Sequence, residues 1–214
     1  MAAAGIDVRW GPSTVTERHL NLMTRAGERV SLYLSGVSAQ TAEVPDDVRT
    51  VMTDAEIVVL DLAAESLRLL PLVKASGRPV WVDVHDYDGE AEFHRPFLDA
   101  ADAVFCNADR LTDPVGFLRS CVASGASFAV CTLGADGAVA VDRDGQTHRV
   151  DAVPVDVVDT NGAGDAFFAG VLAARLAGAA LPQALASGAS SASTALGTKH
   201  LHPILDAVVD VGVL

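Results

Sequence analysis

The stretch from residue 54 to residue 132 alternates short apolar runs with segments of helical periodicity. Each apolar run has the length of a buried strand, and Leu67, Leu70 and Val73 recur at helical spacing before Gly77. Strands and helices that alternate at this spacing favour right-handed crossovers between parallel strands. The sequence therefore predicts an α/β fold with a mostly parallel sheet, whose strands lie at 56–60, 79–84, 102–106 and 127–132.

Local signals predict the remaining elements. Asp113 followed by Pro114 is typical of a helix start, and Asp144 followed by Gly145 is typical of a hairpin turn. The stretch Gly11 to Gly27 is polar and gives no clear prediction. The predicted helices lie at 64–76, 90–100, 162–178 and 181–196, and the further strands at 29–34, 137–143, 146–150 and 153–158.

Charge and cysteine content exclude several classes of partner. The net charge of −13 repels nucleic acid and anionic lipid, so we expect neither as a partner. The three cysteines lack a C-x-x-C spacing, which disfavours a disulfide framework or a zinc site and fits a reducing cytosol. We therefore expect a cytoplasmic protein without a secretory leader and without a segment that spans a membrane.

The segment from Val157 to Gly170 contains the strongest chemical signal, Asp159-Thr160-Asn161-Gly162-Ala163-Gly164-Asp165, before an Ala-rich helix. Backbone N–H groups at a helix start are unpaired and attract anions, and glycine lets a phosphate approach them. Asp165 is therefore placed beside an anion hole, where a carboxylate can accept a proton from an attacking hydroxyl. A glycine turn with a capping aspartate remains the simpler alternative for such a short motif.

Two other phosphate-binding motifs do not match this segment. A dinucleotide fingerprint would need a third glycine where Phe167 stands, and residues 181–190 offer no acidic residue for a ribose. A Walker A loop would need a Lys followed by Ser or Thr, which is absent. A nucleotide-linked oxidoreductase is accordingly disfavoured.

The segment resembles the C-terminal signature of the PfkB (ribokinase-like) carbohydrate kinases, D-T-x-G-A-G-D. Thr132 to Gly137 is similar to the family's T-L-G-x-x-G turn, and Asp102 to Asn107 to its strand that ends in Asn. Val82-Asp83 and, more loosely, Leu185 to Ala189 resemble further family segments, so the likeness extends over roughly residues 25–200 in the right order.

The resemblance implies a ribokinase-like sandwich whose mostly parallel central sheet is flanked by helices and which is truncated at its N-terminus. Residues 1–35 would be a remnant of the lid and edge strands, and residues 36–214 the nucleotide-binding catalytic domain. Residues 5–35 would fold back or pair with a second copy, which makes a homodimer. The implied function is ATP-dependent transfer of the γ-phosphoryl group to a hydroxyl of a sugar or nucleoside, with Mg²⁺ bridging the phosphates.

Site roles follow from the resemblance residue by residue. Asp165 would be the general base, and the anion hole would be Gly162, Ala163 and Gly164. Asp159 and Asn161 would hold a monovalent cation such as K⁺, and Asp109 would reach Mg²⁺ through water. The residues expected around the nucleotide are Asn107, Thr132, Gly134, Asp136, Gly137 and Ser187.

Three departures from the family pattern leave a second hypothesis open. The family's N-terminal portion, with its sugar-binding Gly-Gly/Asn motif, is missing. The acidic position of N-x-x-E is Arg110, and Ala63 occupies the place of a sugar-contacting Glu. The alternative to a kinase is thus a non-catalytic nucleotide-binding or dimerisation module. His85, near Asp83 and Asp86, is interpreted as part of a strand end rather than as a metal ligand.

Overall fold

The computed structural model describes residues 5–9, 18–23, 29–35, 43–200 and 202–205. The chain divides into two compact units. One unit is Met1–Val58 with Ala63–Arg78, and the other is Val59–Leu62 with Pro79–Leu214. The division into residues 1–35 and 36–214 stays a prediction.

The first unit contains a two-stranded antiparallel sheet and two helices. Strand β1, Arg18–Met23, pairs with β2, Arg29–Ser35, so that Leu20 lies directly opposite Leu32. The strand expected at 29–34 is therefore present, and its partner lies in the polar stretch that gave no prediction. Helix α1 is Asp46–Asp54, and α2 is Ala64–Ser76, which ends at the left-handed Gly77 as predicted.

The second unit is organised by a six-stranded mixed sheet with the order β3-β4-β5-β6-β7-β8. β4 pairs parallel with β5, and β5 parallel with β6, whereas β6–β7 and β7–β8 are antiparallel. The four predicted strands lie side by side, which confirms the mostly parallel α/β sheet. The strands are β3 Val58–Leu60, β4 Val80–Asp83, β5 Ala103–Asn107, β6 Phe128–Thr132, β7 Ala138–Asp142 and β8 Thr147–Val150.

The core of this unit explains why the parallel strands are continuous apolar runs in the sequence. Strands buried on both faces need apolar side chains at every position, and β4, β5 and β6 are buried along almost their whole length. Trp81, Phe105 and Phe168 pack together, with ring centroids of Phe105 and Phe168 4.4 Å apart and those of Trp81 and Phe168 5.9 Å apart. Phe168 belongs to helix α5, Ala163–Leu176, so this cluster fixes the start of α5 against the sheet.

Helices α5 and α6, Leu181–Leu196, confirm the two predicted Ala-rich helices and pack closely. A Cβ added at Gly170 would lie 2.8 Å from the Ser187 carbonyl oxygen, so glycine permits this approach. Helix α4, Pro114–Ala123, begins as predicted, because the Asp113 side chain accepts a hydrogen bond from the Gly116 N–H at 2.9 Å.

Two predicted elements differ from the observed ones. The strand expected at 153–158 is absent: Pro154 has no N–H for a ladder, and the Val158 N–H donates to the Leu196 carbonyl at 2.8 Å instead. The helix expected at 90–100 is shorter, a 3₁₀ turn at Glu92–His94 followed by α3, Arg95–Leu98. Within the described ranges, every helix is too short or too polar to cross a membrane.

Candidate active site

The carboxyl ends of β5 and β6 bring two predicted site residues side by side. Asn107 and Thr132 are register partners on these parallel strands. The Thr132 hydroxyl donates to the Cys106 carbonyl at 3.4 Å, and Asn107 Oδ1 accepts the Asp109 N–H at 3.0 Å. This bond makes a turn that leaves the Asp109 side chain exposed at the end of β5.

The turn after β6 needs its glycines for backbone reasons. The Leu133 N–H donates to the Gly137 carbonyl at 2.8 Å and closes the turn around the 3₁₀ segment Gly134–Asp136. Gly134 has φ 60° and Gly137 has φ 82°, a conformation that side chains with a Cβ rarely adopt. The Asp136 side chain is exposed. Contact between these residues and a nucleotide stays a prediction.

The start of α5 is open to an approaching ligand. Gly162, with φ 71°, is the N-cap residue, and it has no side chain that could cap the first N–H groups. Apart from the two neighbouring residues and the backbone of the same helix, no atom of the described residues lies within 4 Å of the place where a Cβ at Gly164 would stand. Asp165 is exposed in the first turn. Just before the turn, the Asn161 N–H donates to Asp159 Oδ1 at 2.9 Å. The predicted anion hole and base are thus adjacent on an accessible helix end.

Asp83, at the end of β4, connects this helix end with the strand ends. Burial raises the pKa of the Asp83 carboxyl, the imidazole and backbone N–H of His85 lower it, and the negative charge of Asp165 raises it further. Phe105, the register partner of Asp83, packs against Phe168, which follows Asp165 by one helical turn. Asp83 and Asp165 therefore lie on the same side of the site. Asp83 was noted in the sequence only for its family resemblance. A carboxylate at the end of a buried apolar strand is the signal that could have marked it as a site residue.

His85 adopts a backbone conformation that is uncommon for residues other than glycine, with φ 51°. Its N–H donates to Asp83 Oδ1 at 2.8 Å, and its carbonyl accepts the Asn107 N–H at 2.8 Å. Its Nδ1 lies 3.8 Å from Asp83 Oδ1. β4 ends at Asp83, two residues before His85.

Arg110 stands at the acidic position of the family pattern, and its partners are carboxylates of the loop after β4. Its guanidinium lies 3.3 Å from Asp88 Oδ2 and 4.0 Å from Asp86 Oδ2. The backbone N–H groups of Glu90 and Ala91 lower the pKa of Asp88, and Arg110 lowers it to a smaller extent. The departure at Arg110 therefore ties this loop to the end of β5.

Ser187 is not joined to the other predicted nucleotide residues by a hydrogen bond among the described residues. It is exposed on α6, and its hydroxyl donates to the Gln183 carbonyl at 3.2 Å. Its part in a nucleotide site stays a prediction.

A mostly parallel sheet flanked by helices, with a glycine at the start of α5, is the architecture of an α/β protein of the ribokinase-like class. The chain resembles a microbiome-derived acarbose kinase (TM-score 0.75, 33% identity, 86% of this chain and 63% of that one). It also resembles Arabidopsis thaliana ribokinase complexed with ribose and ATP (TM-score 0.71, 23% identity, 86% and 64% covered), a likeness of fold alone.

Sequence comparison gives the family. Residues 1–206 match the pfkB family carbohydrate kinases, and the chain belongs to this family, as predicted. It is 33% identical over 179 residues to an acarbose 7(IV)-phosphotransferase of Actinoplanes, with 81% of this chain and 60% of the relative covered. It is 31% identical over 162 residues to a fructoselysine 6-kinase of Escherichia coli, with 75% and 61% covered. The chain thus spans about three fifths of the length of these relatives.

Proposed function

We propose that this chain is the nucleotide-binding, catalytic portion of an ATP-dependent kinase that phosphorylates a hydroxyl of a sugar or sugar-like small molecule. The observation that carries the proposal is the start of α5. There, open space in front of Gly164 adjoins uncapped N–H groups and the exposed carboxylate of Asp165. The chain's membership of a carbohydrate kinase family supports this choice of reaction.

In this mechanism Asp165 is the general base. It accepts the proton of the acceptor hydroxyl as the hydroxyl oxygen attacks the γ-phosphorus, and ADP leaves as the bond between the β,γ-bridging oxygen and phosphorus breaks. The N–H groups that follow Gly162 donate to the phosphoryl oxygens, on which negative charge spreads during transfer. The positive end of the α5 dipole adds to this stabilisation, because it acts within the first turn.

The nucleotide lies, in this proposal, at the ends of β5 and β6. Asn107 and Thr132 present polar side chains there, and the Gly134–Gly137 turn, Asp136 and Ser187 border the site. Mg²⁺ fits the donor set, because it usually takes one or two carboxylates together with phosphates and waters, and Asp109 offers an exposed carboxylate. When bound, it would neutralise charge on the phosphates.

A monovalent cation such as K⁺ would bind beside Asp159 and Asn161. The Asp159 carboxylate already orders this turn by accepting the Asn161 N–H, so a cation there would stabilise the start of α5. We propose a cytoplasmic location, because Cys106, Cys121 and Cys131 are free buried thiols, which suit a reducing compartment.

We also propose a homodimer formed through β1 and β2. Leu20, Leu22, Leu32 and Leu34 are exposed, and the strand register places them on one face of this two-stranded sheet. An isolated two-stranded sheet is marginally stable, and an apolar face of this kind is typically covered by a partner. A second copy presents the same face, so the contact is self-complementary.

The decisive experiment replaces the base without altering the anion hole. Asp165→Asn should keep MgATP binding nearly intact and lower turnover by roughly 10²–10⁴-fold, the usual contribution of a positioned base. Calorimetric titration with MgATP, together with a coupled assay of ADP release over a panel of sugars that includes acarbose and fructoselysine, measures both quantities. Asp46→Asn, in the first turn of α1, is the matched control.

Three outcomes separate the hypotheses. Equal turnover in the wild type and Asp165→Asn would show that Asp165 is not the base. Nucleotide binding without turnover on any acceptor would favour the non-catalytic module. A wild-type chain that binds no nucleotide would contradict both functions.

A further inference from the structure

His85 combines a strained backbone with an exposed imidazole at the ends of the strands that carry the site. Its φ of 51° lies in the left-handed region, and it is the non-glycine residue with positive φ among the described residues. Two hydrogen bonds hold this conformation, one from its N–H to Asp83 and one to its carbonyl from Asn107. Residues in such a backbone conformation persist only where the surrounding structure holds them in place, and they cluster at functional sites.

The side chain of His85 is held at one end only. Its Nδ1 lies 3.8 Å from Asp83 Oδ1, while 52% of the side chain is exposed. The Asp83 carboxylate therefore lies beside the Nδ1 edge of the ring and orients it. No described residue forms a hydrogen bond to Nε2, which therefore remains able to donate to a ligand.

The charges around the strand ends indicate that this donor suits a negatively charged ligand. Asp83 and Asp165 are carboxylates within electrostatic reach of each other, yet a phosphoryl group in transfer carries negative charge. Of the two basic side chains in the segments 83–88 and 107–110, Arg110 is already paired with Asp86 and Asp88. His85 is the other one.

We propose that His85 donates a hydrogen bond from Nε2 to an oxygen of the terminal phosphoryl group of the bound nucleotide, with Asp83 holding Nδ1. The inference rests on the proposed function, since Asp165 can act as base only next to the terminal phosphorus. Phe105, the register partner of Asp83, packs against Phe168, one helical turn after Asp165, and the His85 N–H donates to Asp83. The imidazole therefore stands on the side of Asp165, at the γ-phosphoryl rather than at the adenosine. In this arrangement His85 is a catalytic residue, and Asp83 is its positioning residue.

The test compares ATP with ADP, because only ATP has the terminal group. His85→Asn and His85→Gly both tolerate the left-handed conformation, so each removes the imidazole without forcing the backbone to change. Calorimetry with MgATP and MgADP, in the absence of an acceptor sugar, should show MgATP affinity lowered about 10-fold or more in both variants, the loss expected for one charge-assisted hydrogen bond. MgADP affinity should stay within about twofold, which is well below that loss.

Stability supplies a readout that is independent of nucleotide. Thermal midpoints of both variants should equal or exceed that of the wild type, because the strained histidine is replaced by residues that suit its φ. His202→Asn removes an exposed histidine elsewhere in the chain and should change neither affinity nor midpoint.

Each other result is decisive. Equal weakening of MgATP and MgADP would show that the imidazole supports the loop and would overturn the proposal. Unchanged MgATP affinity would overturn it as well, while leaving the kinase function standing if the wild type turns over. If the wild type binds MgATP but transfers no phosphoryl group, the kinase function is contradicted. The proposal for His85 is then judged by the MgATP and MgADP affinities of the variants alone. A wild type that binds neither nucleotide would overturn both ideas.

Discussion

Substitution of Gly137 by alanine tests whether the turn after β6 is held by backbone contacts alone. Gly137 has φ 82° and ψ −126°, a region used almost only by glycine. A Cβ there would lie 2.0 Å from the Val150 carbonyl oxygen and 2.7 Å from the Ala152 nitrogen. Both neighbours are backbone atoms, so no side-chain rotation can relieve the clash.

The expected loss of stability has two parts. Forcing alanine into this conformation costs about 1–3 kcal/mol. Moving Val150 away disturbs its pairing with Ala138 at the junction of β7 and β8, and overpacking of this kind costs about 1–3 kcal/mol more. We therefore expect Gly137→Ala to lose about 4 kcal/mol of unfolding free energy.

Gly145→Ala is the matched control. Gly145 also has positive φ, 76°, but no atom lies within 4 Å of its ideal Cβ, so only the conformational cost of about 1 kcal/mol applies. The difference of about 3 kcal/mol corresponds to a thermal midpoint roughly 6–12 °C lower for Gly137→Ala in a chain of this size. Thermal denaturation followed by far-ultraviolet circular dichroism measures it. Equal midpoints for the two variants would refute the argument from backbone contact.

Two further predictions concern pH and assembly. The hydrogen bond from His148 lowers the pKa of Asp142, so its stabilisation is present above the unfolded pKa of about 4 and is lost as the pH falls through the lower folded value. Asp142→Asn should therefore be less stable than the wild type and than Asp144→Asn at pH 7 in urea titrations, and the difference should shrink steadily as the pH falls below about 4. A difference that stays constant over this acid range would contradict the prediction. Leu32→Glu should convert the proposed dimer to monomer in light scattering while an exposed control, Ile204→Glu, does not; a wild type that is monomeric at high concentration would contradict the interface.

Much of the fold was predictable because its signals are local. Strands β4, β5 and β6 are buried on both faces. Continuous apolar runs predict such strands even when the neighbouring strands are not known. The start of α4 is set by the hydrogen bond from the Gly116 N–H to Asp113, and these two residues are only three positions apart in the chain. The strand expected at 153–158 was wrong because Pro154 and the bond of Val158 to Leu196 outweigh the β-preference of valine.

The candidate site was predictable in part for the same reason. The Asp159–Asp165 segment orders itself, since Gly162 supplies the left-handed N-cap and Asp165 follows in the first turn. The glycines of the turn after β6 are likewise visible in the sequence. The partner of Arg110 has no such signal, because Asp88 comes from another part of the chain. The conformation of His85 has none either, because its carbonyl bonds to the backbone N–H of Asn107, which strand pairing brings close.

The sequence by itself determined the class of fold, the family and the position of the proposed base, because periodicity, helix caps and glycine turns act over a few neighbouring residues. Only the tertiary structure decided that Asp83 lies within reach of Asp165 and that His85 is held by Asp83 and Asn107. Those approaches arise when parallel strands align their carboxyl ends at one edge of a sheet. Sheet pairing, which brings together residues far apart in the chain, therefore sets the charges of the site, and no local pattern encodes it.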